Sequence, residues 1–563
     1  MKIKYNKRIL RNIIIIFVAI IAIIGILKLA PNYKKDEYEN RINLIINNNN
    51  VTGNVKKEII IDENGIIYLS KQDIANFFDK YIYYDNKENT NEKTYNQIIT
   101  TSDTKVAVLK LNENKIAING ADFETTGCAK IINETIYLPF SEMEKVYNID
   151  IDYIEKTGII IVESLDRELT KANSNKNISI KLKKTLFSRT VDKIKKGESI
   201  TVISRNNGWA KVRTDLGYIG FVKENKLGDN ITIREKLDYS NKIDGKINLV
   251  WDYYSEYVTA PNREGTKIEG INVVSPSFFV LEKLGKGEII DNVGNSGREY
   301  IKWAKEENYK IWAMISNNSM PQTTSEIMRD YYLREKLINE ILDLAYKYDL
   351  DGINIDFENM YEEDKDLFSR FIIELAPRLK EMNLVLSVDV TAPDGSPMWS
   401  GCFERNVIGY VSDYIIFMAY DQHNDSSTKA GTTAGYDWIE VALNKFVGVQ
   451  EDVDSEKIIL GIPFYTRLWK ENGNKLLSSI VNMNDVEDVL PEGVEKVWND
   501  ELKQNYVEYE NSGITYKMWI EDLDSIREKV RLVQKYDLAG VAAWEKDRED
   551  EKVWSVINEE LNK

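Results

Sequence analysis

Asn354, Asp356 and Glu358 stand two residues apart in the run Asp351-Gly352-Ile353-Asn354-Ile355-Asp356-Phe357-Glu358. A β-strand alternates its side chains, so this spacing gathers an amide and two carboxyls on one face and sends Ile353, Ile355 and Phe357 to the other. Acids crowded into one small volume push at least one proton affinity upward, and a carboxyl that keeps its proton near neutral pH can act as a general acid. An apolar outer face with a polar inner face describes a strand of a parallel barrel, where a carboxylate at the C-terminal end reads as catalytic. A solvent-facing edge strand that alternates acids with isoleucines is the plainer alternative.

A strand of that kind needs seven companions. From about residue 245 onward, apolar runs alternate with amphipathic helices, the arithmetic of repeated βα units. The strand-like runs fall at 247–254, 271–279, 310–316, 352–358, 384–390, 414–420, 458–464 and 540–544. Eight such runs predict an α/β fold, a (β/α)8 TIM barrel over 245–563. One connection, 468–520, is too long for a simple crossover and is rich in Trp and Tyr, which predicts an inserted α+β subdomain on the catalytic face.

The rest of the chain is divided by composition. Residues 1–30 carry Lys2, Lys4, Lys7, Arg8 and Arg11 ahead of an apolar run at 13–27, the pattern of an export element with a positive-inside start. The run is shorter than the roughly 20 residues of a comfortable span, so a cleaved signal peptide stays open. Leu27-Lys28-Leu29-Ala30 before Pro31 is a poor cleavage site, however, and an uncleaved transmembrane helix is favoured. That predicts a cell-membrane protein with its bulk outside the cytoplasm, or a secreted one if the segment is cut. Residues 31–50 read as a polar linker. Across 51–165, Ile67-Tyr68-Leu69 followed by a helix-like segment recurs as Ile136-Tyr137-Leu138 followed by another. This α+β stalk resembles the module named after the N-terminal domain of copper amine oxidases, without implying copper, since it holds no histidine. Over 175–230, Trp209-Ala210-Lys211-Val212 and Gly217-Tyr218-Ile219-Gly220-Phe221-Val222 resemble the small SH3-like β barrels of bacterial cell-wall enzymes. Lysines 176, 181, 183, 184, 193, 195 and 196 make this stretch basic, which suits an anionic wall polymer or simply a solvated face.

A chain of 563 residues with a net charge of −17 is too acidic for nucleic acid to be its main partner. Two cysteines, Cys128 and Cys402, exclude a disulfide framework. A single histidine, His423, cannot build a His-rich zinc site, so no metal or cofactor is expected and carboxylate chemistry is the natural remainder.

The octapeptide from Asp351 resembles the signature of glycoside hydrolase family 18: Asp-Gly, an aliphatic, Asp or Asn, an aliphatic, Asp or Asn, any residue, Glu. Met418-Ala419-Tyr420-Asp421 resembles the family's Met-x-Tyr-Asp at the sixth strand. Gly461-Ile462-Pro463-Phe464-Tyr465 with Arg467 resembles the seventh, and Trp544 falls where the eighth carries a tryptophan floor. Two departures, Asn354 for the aspartate usual in chitinases and Ile315-Ser316-Asn317-Asn318 for Ser-x-Gly-Gly, resemble the spore-cortex and cell-wall N-acetylglucosaminidase branch. The resemblance implies hydrolysis of β-1,4-linked N-acetylglucosamine in peptidoglycan, with Glu358 as general acid, Asp356 steadying the substrate's acetamido group and Tyr420 hydrogen-bonded to its carbonyl. Asn354, Met418, Asp421, Arg467 and Trp544 become substrate-binding candidates. Each has a structural alternative: Asp421 as a helix cap, Arg467 as the partner of an acid, Trp544 as core packing. Asp351 is expected to brace the strand. Trp251, Trp399, Trp469, Trp498 and Trp519 are expected in or near loops on the open face. A chitinase and a catalytically silent sugar-binding lectin on the same barrel are the competing functions.

Overall fold

The computed structural model describes residues 15–21, 41–86, 95–236, 243–255 and 257–563. These fall into two compact units, one made of residues 1–85, 96–102 and 107–239 and the other of 86–95, 103–106 and 240–563.

The second unit contains the barrel. Its eight parallel strands are β1 (Ile247–Asp252), β2 (Val273–Pro276), β3 (Lys310–Ser316), β4 (Gly352–Asp356), β5 (Val385–Val390), β6 (Tyr414–Met418), β7 (Ile458–Pro463) and β8 (Gly540–Trp544). Each pairs with the next, β2 pairs with β3, and β8 returns to β1, so the sheet closes. All eight apolar runs therefore become barrel strands. Several end two residues early, because the last residues of those runs leave the ladder to form the mouth.

Alternation along the strands builds two cores. Outward-facing Ile353, Ile355 and Phe357 join the helices in one large cluster, with Phe357 stacked on Phe371 at 5.9 Å. Inward-facing Leu249, Trp251, Trp312, Met314, Tyr414, Ile416 and Ile459 fill the lower barrel. Apolar side chains thus plug its base and leave polar ones only at the top. The glycine of the octapeptide is sterically required, since a Cβ on Gly352 would meet the Trp312 ring at 2.7 Å and the Val385 carbonyl at 2.8 Å.

Phe464 alone separates β7 from an antiparallel five-stranded sheet that begins with Tyr465–Asn472 and ends with Ile514–Ile520. The Phe464 amide donates to the Trp544 carbonyl at 2.7 Å, and its own carbonyl receives the Met483 amide at 3.0 Å. This sheet is clamped to the loop after β6 by a buried chain of polar groups. Thr432 Oγ1 donates to Gln504 Oε1 at 2.5 Å and Gln504 Nε2 to Glu521 Oε1 at 2.5 Å. Glu521 in turn pairs with Lys529 at 2.9 Å, both side chains fully buried.

In the first unit the two Ile-Tyr-Leu segments lie in neighbouring antiparallel strands, with Leu138 opposite Leu69. Their following helices are Lys71–Phe77 and Glu144–Tyr147. Further along, the basic stretch lies within a seven-stranded antiparallel sheet running from Leu169–Asn173 to Ile231–Arg234.

Among the described residues no helix is long and apolar enough to cross a membrane. Most of the expected span at 13–30 lies outside them; residues 15–21 are helical with exposed side chains.

Candidate active site

Above the apolar plug, the inward positions of β2, β4 and β5 carry Ser275, Asn354, Ser387 and Asp389. Asn354 is their hub. Its Oδ1 accepts from Trp251 Nε1 at 2.9 Å and from Ser275 Oγ at 3.2 Å, and its Nδ2 donates to Asp389 Oδ1 at 2.7 Å and to Ser387 Oγ at 3.1 Å. Both amide atoms are therefore committed to protein partners, and Asn354 is fully buried. It shapes the floor beneath the site and is not itself free to hold a sugar.

Asp356 and Glu358 stand above it, half-buried at the barrel mouth. Strand β4 ends at Asp356, and the chain turns at Asn359 through a left-handed φ of 53°, a conformation that asparagine tolerates. Asn317, at the end of β3, fixes the turn by receiving the Glu358 amide at 3.0 Å and donating to the Glu358 carbonyl at 2.9 Å. Glu358 is aimed by this backbone lock.

The surroundings set the protonation. Burial pushes Asp356 up to about 6, opposed by a hydrogen bond with Glu358. Burial and then the neighbouring Asp356 charge push Glu358 well above the usual carboxylate range. Asp389 is also driven well up, first by burial and next by Asp356. Glu358 thus keeps its proton where Asp356 has lost one, the division of labour an acid and an electrostatic partner require. Activity is expected to rise with pH as Asp356 ionises through about 6, and to fall at higher pH as Glu358 deprotonates. A kcat/KM profile that is flat across pH 5–7 would contradict this ordering.

Tyr420 follows β6 and lies among the acids; burial, and then the charge of Asp389, push its phenol well up, so it stays a donor. Asp421 adopts φ 58° and accepts the Tyr465 hydroxyl at 2.7 Å, so its partner is a tyrosine and it caps no helix. Arg467 is buried in the first strand of the inserted sheet, where it donates from Nη1 to Ser478 Oγ at 2.9 Å while its buried Nε finds no acceptor. Met418 is buried in β6, under the mouth. Trp544 ends β8, half-buried and edge-on to Trp251 with ring centroids 5.7 Å apart. Asp351 ties β4 to β3 through Lys310 Nζ at 2.7 Å and the Ile311 amide at 3.1 Å, at the end of the strand away from the acids.

Four of the other tryptophans correct the loop placement, Trp498 and Trp519 being strand residues of the inserted sheet. Trp251 is a barrel-strand residue bonded to Asn354, and Trp469 is a sheet residue donating to the Gly431 carbonyl at 2.8 Å. Both are buried, because their indole N–H groups find partners inside. Trp519 remains half-buried against Tyr506, with centroids 4.8 Å apart. Trp498 is exposed and Trp399 half-buried.

The pattern for glycosyl hydrolases family 18 matches residues 249–549, more than half of the chain. The protein belongs to that family. As a family 18 glycosyl hydrolase it is 26% identical over 300 residues to the uncharacterized glycosylase YvbX of Bacillus subtilis (strain 168), covering 51% of this chain and 84% of that protein. It is 23% identical over 242 residues to the cortical fragment-lytic enzyme of Bacillus anthracis, covering 41% of this chain and only 54% of that one. Among solved structures, a chitinase from Chromobacterium violaceum ATCC 12472 matches with a TM-score of 0.50 at 22% identity, covering 56% of this chain and 99% of that one. At that identity the likeness is one of fold.

Proposed function

We propose that this family 18 glycosidase cleaves β-1,4-linked N-acetylglucosamine in cell-wall peptidoglycan, with the substrate's own acetamido oxygen as nucleophile. The observation that carries the mechanism is the placement of Asp356 and Glu358 two residues apart at the end of β4, where burial and the Asp356 charge raise the proton affinity of Glu358. A retaining enzyme with a protein nucleophile holds its two carboxyls about 5 Å apart on opposite sides of the sugar. Here the two acids are two residues apart in the chain, Asp356 closing β4 and Glu358 just beyond it, too near each other to flank a sugar. Of the others, Asp389 is buried beside Asp356 with one oxygen held by Asn354, and Asp421 is engaged by Tyr465. The 2-acetamido carbonyl is then the group left to attack the anomeric carbon. In this reading Glu358 protonates the leaving oxygen, Asp356 steadies the amide nitrogen as it turns positive, and Tyr420 fixes the carbonyl. Glu358, now anionic, activates water for the second step. Trp544 supplies an apolar face beneath the ring.

Peptidoglycan is favoured over chitin by Asn354 and by Asn317, which stands where chitinases carry a small residue, together with the likeness to a protein named cortical fragment-lytic enzyme. The basic stretch of the first unit would hold the wall polymer as an SH3-like module, and the N-terminal segment would tether the enzyme to the outer face of the membrane. Mass spectrometry of the reducing ends released from purified sacculi tests the reading. N-acetylglucosamine ends are expected, muramic acid ends would overturn the bond assignment, and release from chitin oligomers alone would establish the chitinase.

A further inference from the structure

The site contains a third acid that the octapeptide does not announce. Strands β4 and β5 pair with Asn354 beside Ser387 and Ile355 beside Val388, so the next inward pair in register is Asp356 beside Asp389. Asp389 is almost fully buried. Its Oδ1 receives the Asn354 amide at 2.7 Å, whereas its Oδ2 is buried with no donor. Asp356 Oδ1 is likewise buried with no donor. Two acceptor oxygens on neighbouring inward positions, both shut off from water, are costly when each is left alone, and one proton between them satisfies both. The groups facing Asp389 are Ser387 on its own strand, Asn354, Asp356 and Glu358 from β4, and Tyr420 beyond β6. No base is among them, so a proton is the one positive charge the cluster can recruit.

We propose that Asp389 is a positioning residue for the hydrolysis, holding on Oδ2 a proton that it shares with Asp356. As the acetamido nitrogen becomes positive, the shared proton settles wholly on Asp389 and leaves Asp356 a full carboxylate. When water opens the intermediate, the proton returns to the shared position. No proton enters or leaves the pair over the cycle. With Asn354 unable to titrate, the partner acid comes from the next strand. The inference rests on Asp356 and Glu358 being the reacting pair.

Two substitutions separate a proton-sharing role from packing. Asp389→Leu removes the proton carrier, so ionised Asp356 loses its donor. The acid limb of the kcat profile then moves up by about one pH unit and kcat falls about tenfold, with KM changed less than about threefold. Asp389→Asn can still accept from Asn354 and donate to Asp356, so its acid limb stays at or below that of the wild type. Limbs that rise equally in both variants, or a wild-type profile in Asp389→Leu, would overturn the proposal. If the leucine variant does not fold, a raised limb in Asp389→Asn overturns it alone. A readout free of turnover keeps this apart from the reaction assignment. The infrared carbonyl band of protonated carboxyl groups in the substrate-free enzyme at pH 7 should lose about one group's intensity in Asp389→Asn. Undiminished intensity would end the proposal, whereas the reaction assignment stands or falls with Glu358→Gln.

Discussion

Glu358→Gln should lower kcat on an N-acetylglucosaminide with a sugar leaving group by roughly 10²–10⁴-fold, the usual worth of a positioned general acid. Glutamine preserves length and shape, and the backbone lock from Asn317 holds the main chain at 358 whatever side chain it carries. What the substitution deletes is the proton that burial and Asp356 keep on the glutamate. KM should change little, because the acid acts on the leaving oxygen in the transition state and adds little to ground-state binding. An aryl glycoside sharpens the test. A good aryl leaving group departs without protonation, so its first step should suffer far less than that of a sugar aglycone. Equal losses on both substrates would point to misplacement of the sugar and not to a missing acid; wild-type rates on both would remove Glu358 from the mechanism.

The largest expected effect on folding comes from Lys529→Met. Lys529 and Glu521 are both fully buried, and Glu521 also accepts from Gln504 and from Ser525 Oγ at 2.9 Å. Burial pushes Glu521 upward even with the lysine beside it, a sign of how poorly the surroundings tolerate its charge. Removing the cation strands that charge, and breaking such a pair by deleting one partner costs about 3–5 kcal/mol. Denaturant titration should show a lower midpoint at nearly unchanged slope. The double variant Lys529→Met/Glu521→Leu should recover much of the loss, since no lone charge then remains. A single variant as stable as the wild type would show that the pair is solvated. The damage should also reach the site, because Glu521 holds Gln504 and Gln504 holds Thr432 in the loop that follows Tyr420 and Asp421.

Much of the barrel was legible in the sequence because buried parallel strands are written as apolar runs, and β3 and β8 were bounded to the residue. The octapeptide was legible because a strand's period of two sorts Asn354, Asp356 and Glu358 to one face. The same rule would have revealed Asp389. In Leu386-Ser387-Val388-Asp389-Val390 the polar residues also alternate with aliphatic ones, but two polar residues in an apolar strand signal less loudly than three with a following glutamate. Asn317 was legible as a departure from the chitinase pattern and not as a lock, since its partners lie 41 residues away on another strand. The tryptophans were misplaced for a related reason. Composition shows that an indole is present, whereas its burial depends on whether its N–H meets an acceptor such as Asn354 or Gly431, which only the register of distant strands decides.

With only Phe464 between the seventh barrel strand and the first strand of the inserted sheet, and with that residue pinned by backbone hydrogen bonds on both sides, the chain has no slack where the sheet leaves the barrel. The inserted sheet is accordingly expected to travel with the barrel as one piece, keeping Arg467 and Tyr465 at a set distance from the residues that end the barrel strands.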